Sequence, residues 1–528
     1  MLTPTQVALS ENNKKQFFDL LMVITTVALF YFAFPSGGFG HLTWFALVPV
    51  VIALNNNSGR NAFFLGLLAA TLGWMCSIWW AVSGISEITS TPTNLVIPLV
   101  FIFCFLSALP YAVACWLHVR LKLGYSVMGA ISSAVIFTVL VNYIPHILPG
   151  NLTHALYQKP LFIQFADLGG VPLVFFIIHC VNFLLANAIT LIKINKHQSK
   201  GCFLLAVTLF FANIGYGQYR MAQSVAIDDN QRKTIHIAML QPNIDIKHRT
   251  RNDWKTQQTI LTPVLDEIEQ NQRIDLVVFP EVPVPISYQY YPEDKLYFEK
   301  HLPSKVLLLT TIKPTNNSFE GVTNKEASYF NTMELITEKR LVQEYSKQVL
   351  LPFGEYIPFQ KSMPWLKDLF PYAPNYKPGS QTTLLTLKNK DNDIKVIPLI
   401  CYEAVFTDIV GNGVEKGGEI LINSSNDDWF GDIAGKKTHY ALSLFRTIEY
   451  RKHLVRTTNT GVSGIITPYG RLLDSSKIND NILGYSVNKI DIQPITSFYS
   501  QYPNFIKYLF MSLALMIVCF SRKLNVNN

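Results

Sequence analysis

Long uncharged stretches dominate the first 216 residues, and turn-forming or charged residues divide them into pieces near the ~20 residues that a helix needs to cross a bilayer. An eighth apolar piece follows a polar middle region. The pattern predicts a polytopic α-helical membrane bundle of about eight transmembrane helices, with a buried core helix as the alternative for the last piece. The predicted spans are residues 16–34, 38–55, 62–83, 94–116, 123–144, 171–192, 201–217 and 503–520.

The middle of the chain has a different periodicity, with short buried β-type runs separated by helical or turn segments. The predicted strands are residues 235–240, 274–279, 306–311, 394–400, 420–423 and 462–467. Helical periodicity marks residues 252–270 and 436–451. Strands that alternate with helices over a few hundred residues are typical of a layered α/β domain with one core. The expected organisation is therefore a seven-helix region at 1–217, an α/β domain at 218–502, and a last helix with a tail at 503–528.

Composition supports a membrane protein, because 49% of the residues are hydrophobic and only 15% are charged, where a soluble chain has ~25% charged residues. The net charge is +8. The basic excess lies in the two hydrophobic ends, while the middle is neutral. The charge therefore indicates membrane topology and not a nucleic-acid-binding surface, so no nucleic acid is expected as a partner.

The basic residues that flank the predicted spans lie on one side of the membrane if the spans alternate in direction. The intervening loops hold only Lys159 with Glu87 and Asp167. Because basic loops are retained in the cytoplasm, we expect cytoplasmic termini and an outer location for residues 218–502. The first span precedes further apolar spans and is expected to be retained. The residues on the basic side are Lys14, Lys15, Arg60, Arg120, Lys122, Lys193, Lys196, Lys200, Arg522 and Lys523.

Cysteine placement singles out one thiol. Six of the seven cysteines lie in apolar runs, where a free thiol behaves as a small hydrophobic group. Cys401 is the only cysteine in the hydrophilic middle. That region therefore cannot form an internal disulfide or a multi-cysteine metal site, and Cys401 is a candidate nucleophile.

Two candidate residues directly follow predicted strands. Glu281 lies in VVFPEVPVP, where Pro280, Pro283 and Pro285 stiffen the loop, and Cys401 lies in VIPLICYE. Side chains just beyond buried strands lie at the edge of the sheet, where open α/β folds build their sites. The alternatives are a solvated loop carboxylate for Glu281 and a buried inert thiol for Cys401.

Lys347 is the third candidate, although an isolated lysine is usually a solvated one. A cysteine nucleophile needs a base that takes its proton and a cation or hydrogen-bond donor that holds the oxyanion formed at a carbonyl. Glu281 can supply the base and Lys347 the cation. The three residue types together therefore indicate acyl chemistry.

The order Glu-Lys-Cys, with PE after one strand, a lysine ahead of LLPFGEYIP and CYE after a later strand, resembles the nitrilase or carbon-nitrogen hydrolase superfamily. Together with the predicted spans, the whole chain resembles its membrane-embedded branch, the apolipoprotein N-acyltransferases. Further matching segments are residues 32–54, 165–176, 425–432 and 444–471. The resemblance implies a nitrilase-like αββα sandwich carried by the membrane bundle.

The resemblance also implies roles for the three candidates. Glu281 is expected to be the general base, Lys347 to stabilise the tetrahedral intermediate, and Cys401 to accept the acyl group. Glu355, in PFGEY, corresponds to a second glutamate that orients Lys347 and the thiol.

Three further residues have expected roles beside the nucleophile. Tyr402 and Glu403 match the residues that follow it in the family, and the Tyr402 backbone N–H is expected to donate to the oxyanion. Trp429, in DDWF, corresponds to an aromatic residue near the site and is expected to contact substrate, with a packing role as the alternative.

The sequence departs from the family at one position. Relatives often have a tryptophan about nine residues after the glutamine of the first strand. Here that count from Gln241 reaches Thr250, and Trp254 lies four residues later.

A helix of the family also matches His439, Arg446, Glu449 and Arg451. The spacing of these residues suits a salt-bridged helix face, which favours a structural role over a chemical one. The eleven histidines show no metal-ligand spacing such as HExxH, and no glycine-rich phosphate loop follows a strand. We therefore expect no metal and no cofactor.

The implied reaction is a transfer of the sn-1 acyl chain of a phospholipid, through a cysteine thioester, to the α-amino group of the N-terminal diacylglyceryl-cysteine of an apolipoprotein. The implied location is the bacterial inner membrane, with the catalytic domain on the periplasmic side and membrane lipids around the spans. One alternative is a membrane-anchored amidase that hydrolyses a small amide. Another is a transporter or receptor without catalysis, which the few ionisable residues inside the spans disfavour.

Overall fold

The computed structural model describes residues 4–89, 91–144, 149–223, 233–248, 250–282, 284–315, 328–369, 375–388 and 393–526. The chain forms two compact units. The first comprises Met1–Trp79, Ile97–Ala222 and Gln501–Asn528, and the second comprises Trp80–Val96 and Gln223–Ser500. Pro283, which was expected to stiffen the Glu281 loop, lies outside the described residues.

Helices account for most of the first unit and flank the sheets of the second. In chain order the helices are α1 (Pro4–Ala33), α2 (Val48–Asn55), α3 (Gly59–Ser77), α4 (Trp80–Thr89), α5 (Thr93–Arg120), α6 (Val127–Tyr143), α7 (Ala166–Leu191), α8 (Lys196–Ala222), α9 (Arg251–Gln270), α10 (Pro292–His301), α11 (Leu366–Leu369), α12 (Thr407–Glu415), α13 (Ile433–Tyr450), α14 (Phe498–Gln501) and α15 (Phe505–Val526).

Every predicted span coincides with helix, but the helices differ in length. Among the described residues, 4 helices are long and apolar enough to cross a membrane, or 5 if α3 and α4 count as one broken span. The apolar helices Gly40–Asn55, α6 and Phe505–Phe520 are shorter. At ~1.5 Å per residue, a helix of the length of α6 extends ~25 Å, less than the ~30 Å of a bilayer core. An apolar helical region with about four membrane-length helices is therefore confirmed, and the count of eight is not.

Several buried polar side chains of the first unit bond to backbone groups. Asn182, in the middle of α7, is fully buried. Its Oδ1 accepts the Leu47 N–H at 2.9 Å, and its Nδ2 donates to the carbonyls of Thr43 at 3.0 Å and Ile178 at 2.9 Å. Because an unpaired polar group inside an apolar region is costly, these bonds fix α7 against the segment that leads into α2.

The second unit contains eleven strands within the described residues, arranged in two mixed sheets. The six-stranded sheet has the order β11-β1-β2-β3-β4-β5, and the five-stranded sheet has the order β10-β9-β8-β7-β6. The strands are β1 (Lys233–Gln241), β2 (Leu276–Val278), β3 (Leu307–Pro314), β4 (Tyr329–Thr337), β5 (Arg340–Ser346), β6 (Leu385–Leu387), β7 (Ile394–Ile400), β8 (Ile420–Ser425), β9 (Leu454–Thr458), β10 (Gly464–Ile466) and β11 (Gly484–Ile492).

The hydrophobic core of the six-stranded sheet lies on the face that α9 and α10 cover. Apolar side chains at alternate positions of β1, β2 and β3 pack there against Trp254 and Leu261 of α9 and Phe298 of α10. The two sheets contact each other through β1 with β9 and β4 with β7. The layered α/β prediction is therefore confirmed, together with all six predicted strands and both predicted helices of the middle region.

Parallel pairing brings the functional strand ends together. β7 pairs in parallel with β8, and Ile400 lies opposite Ser424 in that pair. The Ser424 hydroxyl donates to the Phe279 carbonyl at 2.8 Å, which ties the end of β8 to the end of β2. Because β2 leads into Glu281 and β7 leads into Cys401, this arrangement brings the two residues to one edge of the sandwich.

Candidate active site

Glu281 lies in the loop after β2 and is held by two amides. Its Oε1 accepts a hydrogen bond from Asn331 Nδ2 at 2.7 Å, and its Oε2 accepts the backbone N–H of Asn426 at 3.2 Å. It also hydrogen bonds to the Cys401 thiol. Desolvation raises the pKa of Glu281, while the charge of Lys347 opposes the rise. A carboxyl with a raised pKa that contacts a thiol is suited to take and return a proton.

Cys401 directly follows β7 and begins a tight turn. Its φ is +50°, in the left-handed region that residues with a side chain rarely occupy, and its side chain is only 3% exposed. Burial and the neighbouring Glu281 carboxylate raise the pKa of the thiol, and Lys347 opposes them. The resting residue is therefore a neutral thiol, which needs a base to become a nucleophile.

Lys347 follows β5 and is 1% exposed. Its Nζ lies 2.8 Å from Glu355 Oε1, and its backbone N–H donates to the Asn331 carbonyl at 2.8 Å. Burial disfavours the charged ammonium, but Glu355, Glu281 and Cys401 outweigh burial and raise the pKa of Lys347. Lys347 therefore keeps its positive charge beside the thiol, and it is not the solvated lysine that an isolated position would suggest.

Glu355 and Asn331 connect the Glu281 carboxyl to the Lys347 ammonium. Glu355 Oε1 accepts hydrogen bonds from Lys347 Nζ at 2.8 Å and Asn331 Nδ2 at 3.1 Å, and its Oε2 accepts the Leu351 N–H at 2.7 Å. The Asn331 amide thus donates to both carboxylates of the site. Sequence reasoning missed Asn331, because β4 was not predicted. The available signal is its alternation with Met333 and Leu335 on one face of β4.

Glu403 ties the segment after Lys347 to the end of β7. Its Oε1 accepts hydrogen bonds from the Tyr345 hydroxyl at 2.7 Å, the Gln348 N–H at 2.7 Å and the Val349 N–H at 3.3 Å. Its Oε2 accepts the Ile400 N–H at 2.9 Å. Burial raises the pKa of Glu403, and these donors oppose the rise. This one fully buried carboxyl therefore fixes the spacing between the lysine segment and the cysteine turn.

Tyr402 and Trp429 are the two predicted aromatic residues of the site. Tyr402 is buried, with its ring 4.8 Å from that of Phe406. Trp429 is half-buried. Its ring lies so close to Gly354 that a Cβ atom added to that glycine would be 3.4 Å from Trp429 Cζ3. Trp429 therefore packs against the PFGEY segment that carries Glu355, while part of its ring stays accessible.

Neither candidate for the missing family tryptophan is at the site. The Thr250 side chain caps the N-terminus of α9. Trp254 is 1% exposed within the helix-side core, and its Nε1 donates to Asp294 Oδ1 at 2.8 Å. Trp254 is therefore a core residue held by a buried carboxylate.

Of the four residues expected on a salt-bridged helix face, only Arg446 and Glu449 pair with each other along α13. Arg446 Nε lies 2.6 Å from Glu449 Oε2, and Arg451 Nη1 donates to the Pro468 carbonyl at 3.0 Å. His439 Nδ1 lies 3.0 Å from Asp427 Oδ1. His439 thus reaches the loop that follows β8, although the spacing along α13 gave no indication of that partner.

The centre contains a thiol, a carboxyl that contacts it and a permanently charged ammonium, all brought to one edge of the sandwich. These groups can carry out covalent acyl transfer without further components. Within the described ranges, the structure contains no group of three His, Cys, Asp or Glu side chains that could hold a metal ion.

Comparison with known families matches both parts of the chain. The profile of the carbon-nitrogen hydrolases matches residues 236–499, which is half of the chain. The profile of the apolipoprotein N-acyltransferase N-terminal domain matches residues 27–184.

Two curated proteins and one solved structure are among those similar to this chain. The apolipoprotein N-acyltransferase of Chlorobaculum tepidum is 25% identical over 544 residues, covering 96% of each chain. That of Geobacter metallireducens is 25% identical over 464 residues, covering 86% of each chain. A solved carbon-nitrogen hydrolase of Helicobacter pylori G27 is 15% identical with a TM-score of 0.35, covering 52% of this chain and 93% of its own. The chain therefore belongs to the carbon-nitrogen hydrolase family, and within it to the apolipoprotein N-acyltransferases.

Proposed function

We propose that this acyltransferase moves the sn-1 acyl chain of a phospholipid, through a thioester on Cys401, to the α-amino group of the N-terminal diacylglyceryl-cysteine of an apolipoprotein. The observation that carries the proposal is the buried contact of the Cys401 thiol with Glu281, beside the charged Lys347. The name of the curated relatives supplies the substrate class.

In the first step the Cys401 sulfur attacks the ester carbonyl of the phospholipid. The thiol proton passes to Glu281, the C–S bond forms, and the C–O bond to the glycerol breaks. Glu281 then returns the proton to the departing alkoxide, which leaves as a lysophospholipid. A carboxyl whose pKa is raised by desolvation is suited to both transfers.

In the second step the free α-amino group of the apolipoprotein attacks the thioester. The C–N bond forms and the C–S bond breaks, and Glu281 takes a proton from the attacking nitrogen and passes it to the departing sulfur. Both steps develop negative charge on the same carbonyl oxygen. Lys347 and the Tyr402 backbone N–H are the proposed donors to that oxyanion, with Glu355 and Glu403 holding their segments and Trp429 contacting lipid.

The membrane arrangement is also a proposal. Eight spans, with residues 1–217 and 503–528 in the membrane region and 218–502 outside, follow from the basic residues on one side. This topology puts the catalytic domain on the periplasmic face of the inner membrane, where both lipid-bearing substrates are available. A reporter fused near residue 300 should be active only outside the cytoplasm, and cytoplasmic activity there would contradict the topology.

The decisive experiment incubates the purified protein with phospholipid alone and searches for an acyl adduct on the peptide that contains Cys401. Mass spectrometry should find the adduct, and a diacylglyceryl peptide added afterwards should remove it and gain an amide-linked chain. Release of free fatty acid without acylation of the peptide would instead support the amidase-like alternative. The match to the N-acyltransferase N-terminal domain disfavours that outcome.

A further inference from the structure

Ser425 lies beside the nucleophile, at the end of the neighbouring strand. β8 ends at Ser425, and the parallel register that sets Ile400 opposite Ser424 sets Ser425 level with Cys401. The Ser425 side chain is fully buried. It is also a hydrogen-bond partner of the Cys401 thiol. The thiol therefore has two neighbours that can take part in its hydrogen bonding, Glu281 and Ser425.

The Ser425 proton is already committed to another group. Its Oγ donates to Asp427 Oδ1 at 2.7 Å. Asp427 is fully buried, with Arg456 Nη2 at 2.8 Å from its Oδ2 and His439 Nδ1 at 3.0 Å from its Oδ1. Burial alone would raise the pKa of Asp427, but Arg456 and His439 outweigh burial and lower it to about 2.

An ionised Asp427 decides which way the serine hydroxyl points. A serine hydroxyl has one proton and two acceptor lone pairs. With the proton bonded to Asp427, the lone pairs are what Ser425 presents to the sulfur. In the resting enzyme the Cys401 S–H is directed at Glu281, while the Ser425 proton is directed at Asp427.

This arrangement becomes unfavourable once Glu281 has taken the thiol proton, because oxygen lone pairs then face a sulfur anion. Rotation about the Cβ–Oγ bond would bring the hydroxyl proton to the sulfur. Asp427 can release that proton, because Arg456 and His439 still satisfy the carboxylate. Arg456 and His439, which remain bonded to Asp427, thus offset part of the cost of breaking its bond to Ser425.

We propose that Ser425 is a hydrogen-bond switch for the nucleophile: its hydroxyl donates to Asp427 in the resting enzyme and turns to donate to the Cys401 sulfur when the thiolate forms. This inference rests on the proposed function, in which Cys401 is the nucleophile. No proton is gained or lost by Ser425, because the thiol proton goes to Glu281 and the serine proton only changes its acceptor.

The switch operates among several charged groups, so its contribution must be separated from theirs. The titratable and charged residues that surround the thiol, directly or through one neighbour, are Glu281, Lys347, Glu355, Tyr402, Glu403, Asp427, His439 and Arg456. All of them are retained in a Ser425 variant, and Asp427 alone among them loses a direct hydrogen bond from the Ser425 side chain. A change in thiolate formation on substitution of Ser425 therefore reports the hydroxyl and its bond to Asp427.

The test measures the alkylation rate of Cys401 by iodoacetamide across the neutral to alkaline range, read on the Cys401 peptide by mass spectrometry in the full-length protein. Ser425→Ala should slow alkylation about tenfold at each pH, equivalent to a rise of about one unit in the thiol pKa. Ser425→Thr, which keeps a hydroxyl, should stay close to the unsubstituted enzyme. Ser425→Val, which has the shape of threonine without the hydroxyl, should behave like Ser425→Ala.

Ser443→Ala is the matched control, because Ser443 is equally buried and its hydroxyl donates to the Tyr440 carbonyl at 2.9 Å within α13. It should leave the alkylation profile unchanged. If Ser425→Ala does not fold, the Thr and Val pair still isolates the hydroxyl. Equal rates for Thr and Val, or an unchanged profile in Ser425→Ala, would overturn the switch.

The same proteins separate this inference from the proposed function. An unsubstituted enzyme that forms no acyl adduct with phospholipid would refute the acyl-transfer proposal, whatever the alkylation rates. An enzyme that forms the adduct, with alkylation insensitive to Ser425, would refute the switch alone. If both hold, Ser425→Ala and Ser425→Val should also form the adduct about tenfold more slowly than Ser425→Thr.

Discussion

The two units of the protein bury polar groups of different kinds. In the first unit the buried polar side chains are mostly neutral, such as Asn182 bonded to three backbone groups and Asn55 bonded to His118 at 2.7 Å. Exceptions among its described residues are Asp167, paired with Arg220 at 2.6 Å, and Asp19, which accepts from Asn57 Nδ2 at 2.8 Å. In the second unit, acids and bases are buried together as connected networks around one thiol.

The difference shows what buried neutral groups and buried charged groups each contribute. Neutral amides satisfy backbone groups in apolar surroundings at little electrostatic cost, so they stabilise a helical region. Buried charges cost desolvation energy and contribute little net stability, so their concentration around Cys401 points to chemistry. Substitutions should therefore separate the units: changes around Cys401 lower rates, and changes in the helical unit lower stability.

The largest effect is expected for Cys401→Ala, which removes the nucleophile. No acyl adduct should form on the 401 peptide and no lipoprotein should mature, although the protein stays folded because a buried thiol is replaced by a smaller apolar group. Mass spectrometry after incubation with phospholipid checks this. A Cys401→Ala enzyme that still transfers acyl chains would refute the covalent mechanism.

Lys347→Ala should lower turnover by roughly 100- to 1000-fold, the scale of a lost oxyanion donor. Lys347→Arg should not restore activity, because a planar guanidinium does not fit the position of a compact ammonium in a site where the lysine is 1% exposed. Glu355→Gln should be impaired as well, since it weakens the 2.8 Å ion pair that holds Lys347. The assay is acyl transfer to a diacylglyceryl peptide, with thermal unfolding as the folding control. Near-normal turnover in Lys347→Ala would leave the oxyanion without its proposed cation.

Glu281→Gln should slow thioester formation by at least ~100-fold, the scale of lost general-base catalysis. Glutamine keeps the size of the side chain and an oxygen that can accept from Asn331, so binding of the phospholipid should change little. Single-turnover measurement of the adduct separates the chemical step from binding. If phospholipid binding and the chemical step were weakened equally, Glu281 would have a structural role.

The dependence of the rate of thioester formation on acidic pH follows from the pKa of Glu281. Desolvation raises the pKa of Glu281 above its ordinary 4.5, and the base must be ionised to act. The rate of thioester formation should therefore fall as the pH drops through a value above 4.5, by about tenfold for each further pH unit. Initial rates measured across the acidic range test this, and Glu281→Gln should flatten that dependence.

The strand ends that lead into Glu281 and Cys401 were the most predictable part of the site. Residues 394–400 were predicted as a strand, and β7 has those bounds, because the apolar run that begins at Val396 continues to Cys401. The strand before Glu281 was recognised for the same reason. The position of each residue just beyond the end of its strand thus follows from the local pattern.

The strands that were missed carry buried polar residues that the fold needs. β4 contains Asn331 and Glu334, and β9 contains Arg456, all buried. Such residues interrupt the apolar pattern that marks a strand, and their partners come from distant segments of the chain. Local pattern therefore fails at the positions where the site is built, which is why Asn331 and the link from Ser425 to Asp427 needed the structure.

The smallest effect is expected in the helical unit, from Asn182→Ala. The substitution leaves the Leu47 N–H and the Thr43 carbonyl without their buried partner, so it should destabilise the folded protein by roughly 1–3 kcal/mol. Thermal unfolding in detergent measures that loss, while the alkylation rate of Cys401 at a temperature below unfolding should not change. Ser443→Ala removes one buried hydrogen bond within α13 of the other unit. The stability that it loses can be compared with the loss in Asn182→Ala. A fall in Cys401 reactivity without a fall in stability would break the separation between the units, because it would give the neutral amides of the helices a part in the chemistry.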